Sequence, residues 1–146
     1  MGIRSFLAFE LPPEIRDILD RLSEGNRASL GGIRWIPAGN IHLTVVFMGS
    51  MDEDRLKALG GSVIEACKDY APFRIRLSGA GYFGRRSSPR VIWAGLEGDT
   101  ERMSRFRDDL QVRLVPFGAR KEDRPFRPHL TLGRFKKGER GDRRVE

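Results

Sequence analysis

Residues 41–49 read IHLTVVFMG, and the triplet His-Leu-Thr within them returns at residues 129–131, in HLTLGRF. The chain has two histidines in 146 residues, and each of them opens one copy of this triplet. In a β-strand, residues i and i+2 project from one face and residue i+1 projects from the other. His42 and Thr44 therefore share a face, as do His129 and Thr131. The intervening positions are predicted to fill the core: Leu43, Val45, Phe47, Leu130 and Leu132.

The two triplets belong to a longer internal repeat. They are separated by 129 − 42 = 87 residues, and the same shift places FLAFE (6–10) on WAGLE (93–97) and Glu14 on Glu101. Each half is then a strand, a helix and a later strand that carries the triplet. This order predicts an α+β fold built as a bilobal, pseudo-twofold duplication.

The remaining elements alternate along the chain with short connections. Strands are predicted at 3–11, 33–36, 41–49, 73–83, 90–98 and 129–135, with a polar loop at 84–90. One helix starts at Pro12-Pro13, where proline is well tolerated. A second follows a capping box at Ser50–Glu53 and runs to about Tyr70, and a third covers 100–114. Their predicted inward residues are Ile15, Ile18, Leu19 and Leu22; Leu56, Leu59, Val63, Ile64 and Cys67; and Met103, Phe106, Leu110 and Leu114.

Composition limits the class of protein. A chain of this length fits one domain, and we expect residues 1–136 to form a single two-lobed catalytic domain, with 137–146 a charged, disordered tail. No apolar run approaches the roughly 20 residues of a membrane helix, so no membrane partner is expected. The net charge of +7 and pI near 10.3 favour a polyanionic partner. The single cysteine, Cys67, indicates a reducing, cytoplasmic compartment.

Two imidazoles and two hydroxyls that meet in one groove suit in-line displacement at phosphorus. A neutral histidine takes a proton from the attacking oxygen, and a protonated histidine gives one to the leaving oxygen. Threonine hydroxyls donate to the non-bridging oxygens. Imidazole suits both roles because its ordinary pKa is about 6.5.

Other interpretations of the histidines have less support in the sequence. A lone strand histidine is usually structural, and the paired occurrence is what favours catalysis. A metal site lacks a third ligand at metal-site spacing and has no HExxH motif. Cys67 lies far in sequence from both histidines, which disfavours a Cys–His nucleophile.

The segments FLAFELP, IRWIPAGNIHLTVVFMG and RPFRPHLTLGRF resemble the RNA 2′,3′-cyclic phosphodiesterases, also called 2′-5′ RNA ligases, of the two-histidine phosphoesterase superfamily. The resemblance runs from about residue 3 to 136. It implies two antiparallel β-sheets lining a central cleft with helices outside, and no metal or other cofactor. It also implies hydrolysis of RNA 2′,3′-cyclic phosphate ends. Separately, we expect a monomeric protein, with tRNA fragments among the candidate substrates.

The resemblance also implies roles for individual residues. His42 protonates the leaving 3′ oxygen, His129 activates water, and Thr44 and Thr131 hold the phosphate. Arg134 contacts the phosphate as well. Simple alternation instead puts Arg134 on the core face, opposite His129, unless a bulge at Gly133 re-aims it; a solvated strand-end arginine is the alternative.

The surroundings of the second triplet offer further candidates for RNA contact. Five loop arginines could meet the RNA backbone: Arg85, Arg86, Arg90, Arg124 and Arg127. Trp35, Phe83 and Phe126 either stack on a terminal base or belong to the core.

Three function classes follow. The first is metal-independent hydrolysis of RNA 2′,3′-cyclic phosphate ends to 2′-phosphomonoesters, with 2′-5′ ligation as the reverse reaction. The second is a two-histidine phosphodiesterase for a small cyclic nucleotide or cyclic phosphate. The third is an RNA-binding module whose histidines are not catalytic.

Overall fold

The computed structural model describes residues 2–26 and 32–136 of the chain. The predicted tail at 137–146 lies outside the described residues. The helices are α1 (Pro13–Asn26), α2 (Glu53–Lys68) and α3 (Thr100–Leu114). The strands are β1 (Ile3–Phe9), β2 (Ile33–Trp35), β3 (Leu43–Met51), β4 (Ile75–Arg85), β5 (Ser88–Gly98) and β6 (His129–Phe135).

The strands form two sheets within the described part of the chain. One contains β1 and β3, and the other has the order β2-β6-β5-β4. Strand β6 pairs antiparallel with β2 on one side and with β5 on the other. The predicted α+β fold with two antiparallel sheets is confirmed.

Two compact units divide these elements between them. The first contains β1, α2, α3 and β3 from Thr44 onward, and the second contains α1, β2, β4, β5 and β6. Helix α1, from the first half of the repeat, therefore lies in the unit that contains β5 and β6 of the second half. Helix α3, from the second half, lies in the unit that contains β1 and most of β3. The pseudo-twofold arrangement around a central cleft stays a prediction.

The first unit has a core made by one face of β3 and the facing sides of α2 and α3. Its buried members are apolar, and all but Ala119 come from these three elements: Val45, Val46, Met48, Met51, Leu59, Ala66, Phe106, Leu110, Leu114 and Ala119. Tyr70 lies against Phe106 with ring centroids 4.9 Å apart, and Phe9 and Phe73 extend this aromatic group. Each such side chain contributes roughly 1.5–3 kcal/mol when it leaves water.

In the second unit, one face of the four-stranded sheet is buried. Ile33, Ile92, Ala94, Leu130 and Leu132 are all buried there. Helix α1 contributes Leu19 and Ser23 to the buried set. Ser23 can be buried because its hydroxyl donates to the carbonyl of Asp20 (3.0 Å). The prediction of the buried face of α1 is therefore partly wrong, since Ile18 and Leu22 are exposed.

Helix α2 differs from its prediction at both its start and its buried stripe. Ser50 belongs to β3, and the N-cap is Asp52, which makes no capping side-chain hydrogen bond. The predicted capping box is therefore wrong. Ile64 and Cys67 are exposed, and the stripe runs through Leu59 and Ala66 instead. Ala66 is 0% exposed and belongs to the buried cluster that α2 shares with α3.

The alternation of β3 is interrupted after Val45. Val45 and Val46 are both buried, and Phe47, predicted to be core, is 58% exposed beside Phe6, with ring centroids 5.9 Å apart. Because two successive residues face inward, each later residue of β3 lies on the side opposite to the one that simple alternation predicts. Met48 is buried as a result.

The predicted 84–90 loop is a tight hairpin. Strand β4 extends to Arg85 and β5 begins at Ser88, so only residues 86 and 87 form the turn. Gly84, with φ of 109°, adopts a backbone conformation that favours glycine.

No helix in the described residues is long and apolar enough to cross a membrane.

The predicted repeat is consistent with the element boundaries. A shift of 87 moves Pro13 to 100, where α3 begins, and moves β1 onto β5. The strands that carry the triplets pair in corresponding ways, β3 with β1 and β6 with β5. The halves also differ, because the shift would place β2 at 120–122, where the chain forms no strand.

Candidate active site

The second triplet lies at the start of β6. His129 and Thr131 are half-buried, while Leu130 is 1% exposed and Leu132 is 8% exposed. His129 pairs across the ladder with Gly95, and Thr131 pairs with Trp93. The predicted alternation is confirmed here, with histidine and threonine on one face and the leucines in the core.

Arg134 returns to the face of His129 and Thr131 because β6 contains a bulge. Trp93 pairs with Thr131, but the preceding residue, Ile92, pairs with Gly133, so Leu132 is the extra residue. Leu132 and Gly133 are both buried, and Arg134 is exposed. The bulge predicted for this position therefore exists, and simple alternation does not place Arg134 correctly.

Glycine is required at the bulge for reasons of space. A Cβ at position 133 would lie 2.7 Å from Ile33 Cγ2 and 3.0 Å from the Arg34 carbonyl oxygen. Strand β2 can therefore pair closely with β6, and the amide of Ile36 donates to the carbonyl of Leu132 at 2.9 Å.

The second histidine contacts the ring of Phe83, which in turn contacts the ring of Trp93. The Phe83 ring meets the His129 imidazole edge to face, with centroids 5.1 Å apart at 88°. It also lies 5.4 Å from the Trp93 ring. Trp93 in turn covers Gly81, where a Cβ would come within 2.5 Å of the indole. Phe83 thus fixes one side of the imidazole ring, and both aromatics are only half-buried.

The first triplet begins one residue before β3. His42 is half-buried between the buried Ile41 and Leu43, and Thr44 is half-buried as well. The exposure sequence of residues 43–47 matches that of 130–134, so Phe47 occupies the position that corresponds to Arg134. His42 and His129 belong to the same compact unit, and Thr44 belongs to the other. That both pairs converge on one phosphate stays a prediction.

The segment before His129 is held by buried polar side chains of α3. Gln111 donates to the carbonyl of Glu122 (3.1 Å) and accepts from its amide (2.8 Å). Arg107 donates to the carbonyl of Arg124 (2.8 Å), and its guanidinium lies over the Phe126 ring. These bonds replace the secondary structure that residues 119–128 lack.

The sequence from residue 11 to 146 matches the family model described as the 2′-5′ RNA ligase superfamily. The chain is 32% identical over 146 residues to the RNA 2′,3′-cyclic phosphodiesterase of Methanothermobacter thermautotrophicus, covering 100% of this chain and 78% of that protein. The corresponding protein of Thermotoga maritima is 31% identical over 134 residues, with coverages of 92% and 71%. The chain belongs to the 2′-5′ RNA ligase superfamily.

A solved structure supports the same assignment at the level of the fold. E. coli LigT complexed with 3′-AMP superposes with a TM-score of 0.72 at 29% identity, covering 92% of this chain and 74% of that one. The family resemblance drawn from the two triplets and their flanks is therefore confirmed.

The loop arginines that were predicted to contact the RNA backbone lie in different environments. Arg124 is bound to Glu122 (3.1 Å), and this hydrogen bond lowers the pKa of the Glu122 carboxyl and raises that of Arg124. Arg86 lies in the β4–β5 turn and Arg85 ends β4. Arg90 precedes Val91, the ladder partner of Arg134, so it projects from the face opposite Arg134.

A metal centre has no donor set in the described part of the chain. No group of three or more His, Cys, Asp or Glu side chains there could hold an ion. Cys67, on the exposed side of α2, was predicted to be a small core residue, and that prediction is wrong.

The face of the sheet that carries His129, Thr131 and Arg134, here called the site face, includes two residues that the sequence did not predict. Trp93 and Arg34 are the ladder partners of Thr131 and Arg134. Their strands, β5 and β2, were predicted, but which residues stand opposite each other depends on the bulge. Only the glycine at 133 hinted at that register.

Proposed function

We propose that this protein hydrolyses RNA 2′,3′-cyclic phosphate ends to 2′-phosphomonoesters by metal-independent acid–base catalysis with two histidines. The observation that carries the proposal is the face of β6, where His129, Thr131 and Arg134 project together away from a leucine core. Its relatives named RNA 2′,3′-cyclic phosphodiesterase support the substrate class.

In the proposed reaction, His129 is the general base. Its neutral imidazole removes a proton from water, and the water oxygen forms a bond to phosphorus. The edge-to-face contact with Phe83 limits rotation of the ring and so supports this role. Half-burial leaves the imidazole accessible to a water molecule.

His42 is the proposed general acid. The bond between phosphorus and the 3′ oxygen breaks, and His42 transfers its proton to that oxygen, which leaves the phosphate on the 2′ oxygen. Thr44 and Thr131 donate hydrogen bonds to the non-bridging oxygens, and the Arg134 guanidinium offsets their negative charge. The same bond changes, with an RNA 5′-hydroxyl in place of water as the nucleophile, form a 2′-5′ phosphodiester, and this ligation needs no ATP because the cyclic phosphate is already activated.

The test is incubation with an RNA oligonucleotide that ends in a 2′,3′-cyclic phosphate, followed by separation of 2′- and 3′-phosphate products. We expect the 2′-phosphate alone. A 3′-phosphate product would contradict the proposed leaving group. Hydrolysis of cyclic mononucleotides with no activity on the oligonucleotide would favour the small-substrate alternative, and RNA binding without turnover would favour the binding module.

A further inference from the structure

Two arginines stand directly opposite each other on the exposed face of the four-stranded sheet. Arg34 on β2 is the ladder partner of Arg134 on β6, and both are exposed. Within residues 2–26 and 32–136, neither guanidinium forms an ion pair or a side-chain hydrogen bond. Like charges placed directly opposite destabilise a strand pair. The pair therefore carries an uncompensated positive charge that an anion would relieve.

The register puts Arg34 on the same face as the second triplet. Directly opposite residues of an antiparallel pair project to one side, so Arg34 follows Arg134. The bulge at Leu132 returns Arg134 to the side of His129 and Thr131. Ile33, the neighbour of Arg34, is buried on the other side. Arg34 thus extends the site face by one strand beyond β6.

Arg34 lies some distance from Thr131, the residue proposed to hold the reacting phosphate. The β5 partners of Thr131 and Arg134 are Trp93 and Val91, two residues apart, which is about 7 Å along the sheet. Arg34 lies one further strand away, at about 4.8 Å in the perpendicular direction. A phosphate held at Thr131 would therefore leave Arg34 available for a second anionic group about one nucleotide away.

We propose that Arg34 binds the phosphodiester on the 5′ side of the terminal nucleotide, while Arg134 serves the reacting cyclic phosphate. This inference rests on the proposed function and adds a specificity element to it. A mononucleotide lacks that phosphodiester, so Arg34 favours the end of an RNA chain over a free cyclic nucleotide. Such backbone contacts act through charge and do not depend on base sequence.

The experiment compares two substrates, a 2′,3′-cyclic mononucleotide and a dinucleotide that ends in a 2′,3′-cyclic phosphate. For Arg34→Ala we expect kcat/KM on the dinucleotide to fall by about 10-fold through KM, because a charge-assisted contact is lost. Hydrolysis of the mononucleotide should stay unchanged. Replacing the internal phosphodiester with an uncharged methylphosphonate should remove the difference between Arg34→Ala and the unmodified protein.

Two variants serve as controls for charge and geometry. Arg105→Ala removes the same charge from an exposed position on α3 and should leave both substrates unaffected. Arg34→Lys should restore part of the dinucleotide activity, because a point charge still attracts phosphate. Circular dichroism should show all variants folded, since both positions are exposed.

A binding measurement distinguishes failure of this inference from failure of the proposed function. Anisotropy of an RNA oligonucleotide ending in a 2′-phosphate requires no turnover. The slope of log affinity against log salt should become shallower by about 0.7 in Arg34→Ala. An unchanged slope, or equal losses on mononucleotide and dinucleotide, would overturn the assignment. Inactivity of the unmodified protein on both substrates would instead refute the proposed function.

Discussion

At the scale of single residues, His42 and His129 are each expected to carry one proton of the reaction. His42→Ala and His129→Ala should each lower the rate by about 10²–10⁴-fold, because positioned proton transfer is lost. Both side chains are half-buried outside the cores, so the thermal midpoint should change little. Full activity in either variant, measured with the cyclic-ended oligonucleotide, would remove that histidine from the mechanism.

Thr131 is expected to act through its hydroxyl and not through its shape. Thr131→Val keeps the volume and the β-branch but loses the donor, so kcat should fall by about 10²-fold or more. Thr131→Ser keeps the hydroxyl and should retain most of the activity. Equal activity of the valine and serine variants would show that the position is only structural.

At the scale of elements, the bulge of β6 sets the direction of Arg134 and the pairing with β2. Gly133→Val would force a side chain into Ile33 and the Arg34 carbonyl, so we expect a loss of about 1–3 kcal/mol in the free energy of unfolding. Activity should fall as well, because Arg134 is displaced. Chemical denaturation and steady-state kinetics measure the two effects.

A glycine without a packing role provides the matched control. A Cβ at Gly60, inside α2, would meet nothing within 4 Å. Gly60→Ala should therefore stabilise the helix by about 0.5–1 kcal/mol and leave activity unchanged. Destabilisation by Gly60→Ala, or a stable and active Gly133→Val, would contradict this account of the two positions.

The sequence predicted elements better where periodicity was strong. The bounds of α3 and β6 were predicted correctly, because Met103, Phe106 and Leu110 follow the helical period and the triplet alternates strictly. Helix α2 was mispredicted on one face, since Ala66 is buried whereas Cys67 and Ile64 are exposed. The packing of α2 against distant segments decides which of its residues are buried, and a single sequence does not contain that information.

At the scale of the whole molecule, the site should need no metal ion. The proposed mechanism assigns proton transfer to histidines and charge stabilisation to hydroxyls and a guanidinium, which leaves no step for Mg²⁺ or Zn²⁺. Dialysis against EDTA should leave kcat unchanged. A strong loss that is restored by adding back one metal would favour the metal-site interpretation.

The candidate site was predictable in its residue types and only partly in its geometry. The two triplets indicated His42, Thr44, His129 and Thr131, because alternation within one strand is a local property. The orientation of Arg134 depends on the bulge, and the role proposed for Arg34 depends on the register between β2 and β6. Cross-strand register depends on packing between distant segments, which local periodicity does not specify.

The most direct test of the paired-histidine mechanism is the pH dependence of kcat/KM in the unmodified protein and in both alanine variants. One histidine must be protonated and the other neutral, so the unmodified protein should show a bell-shaped profile. His42→Ala should lose the alkaline limb and reach a plateau at high pH, because only the base remains. His129→Ala should lose the acidic limb and reach a plateau at low pH. A single sigmoid in the unmodified protein, or a bell retained in both variants, would contradict the mechanism.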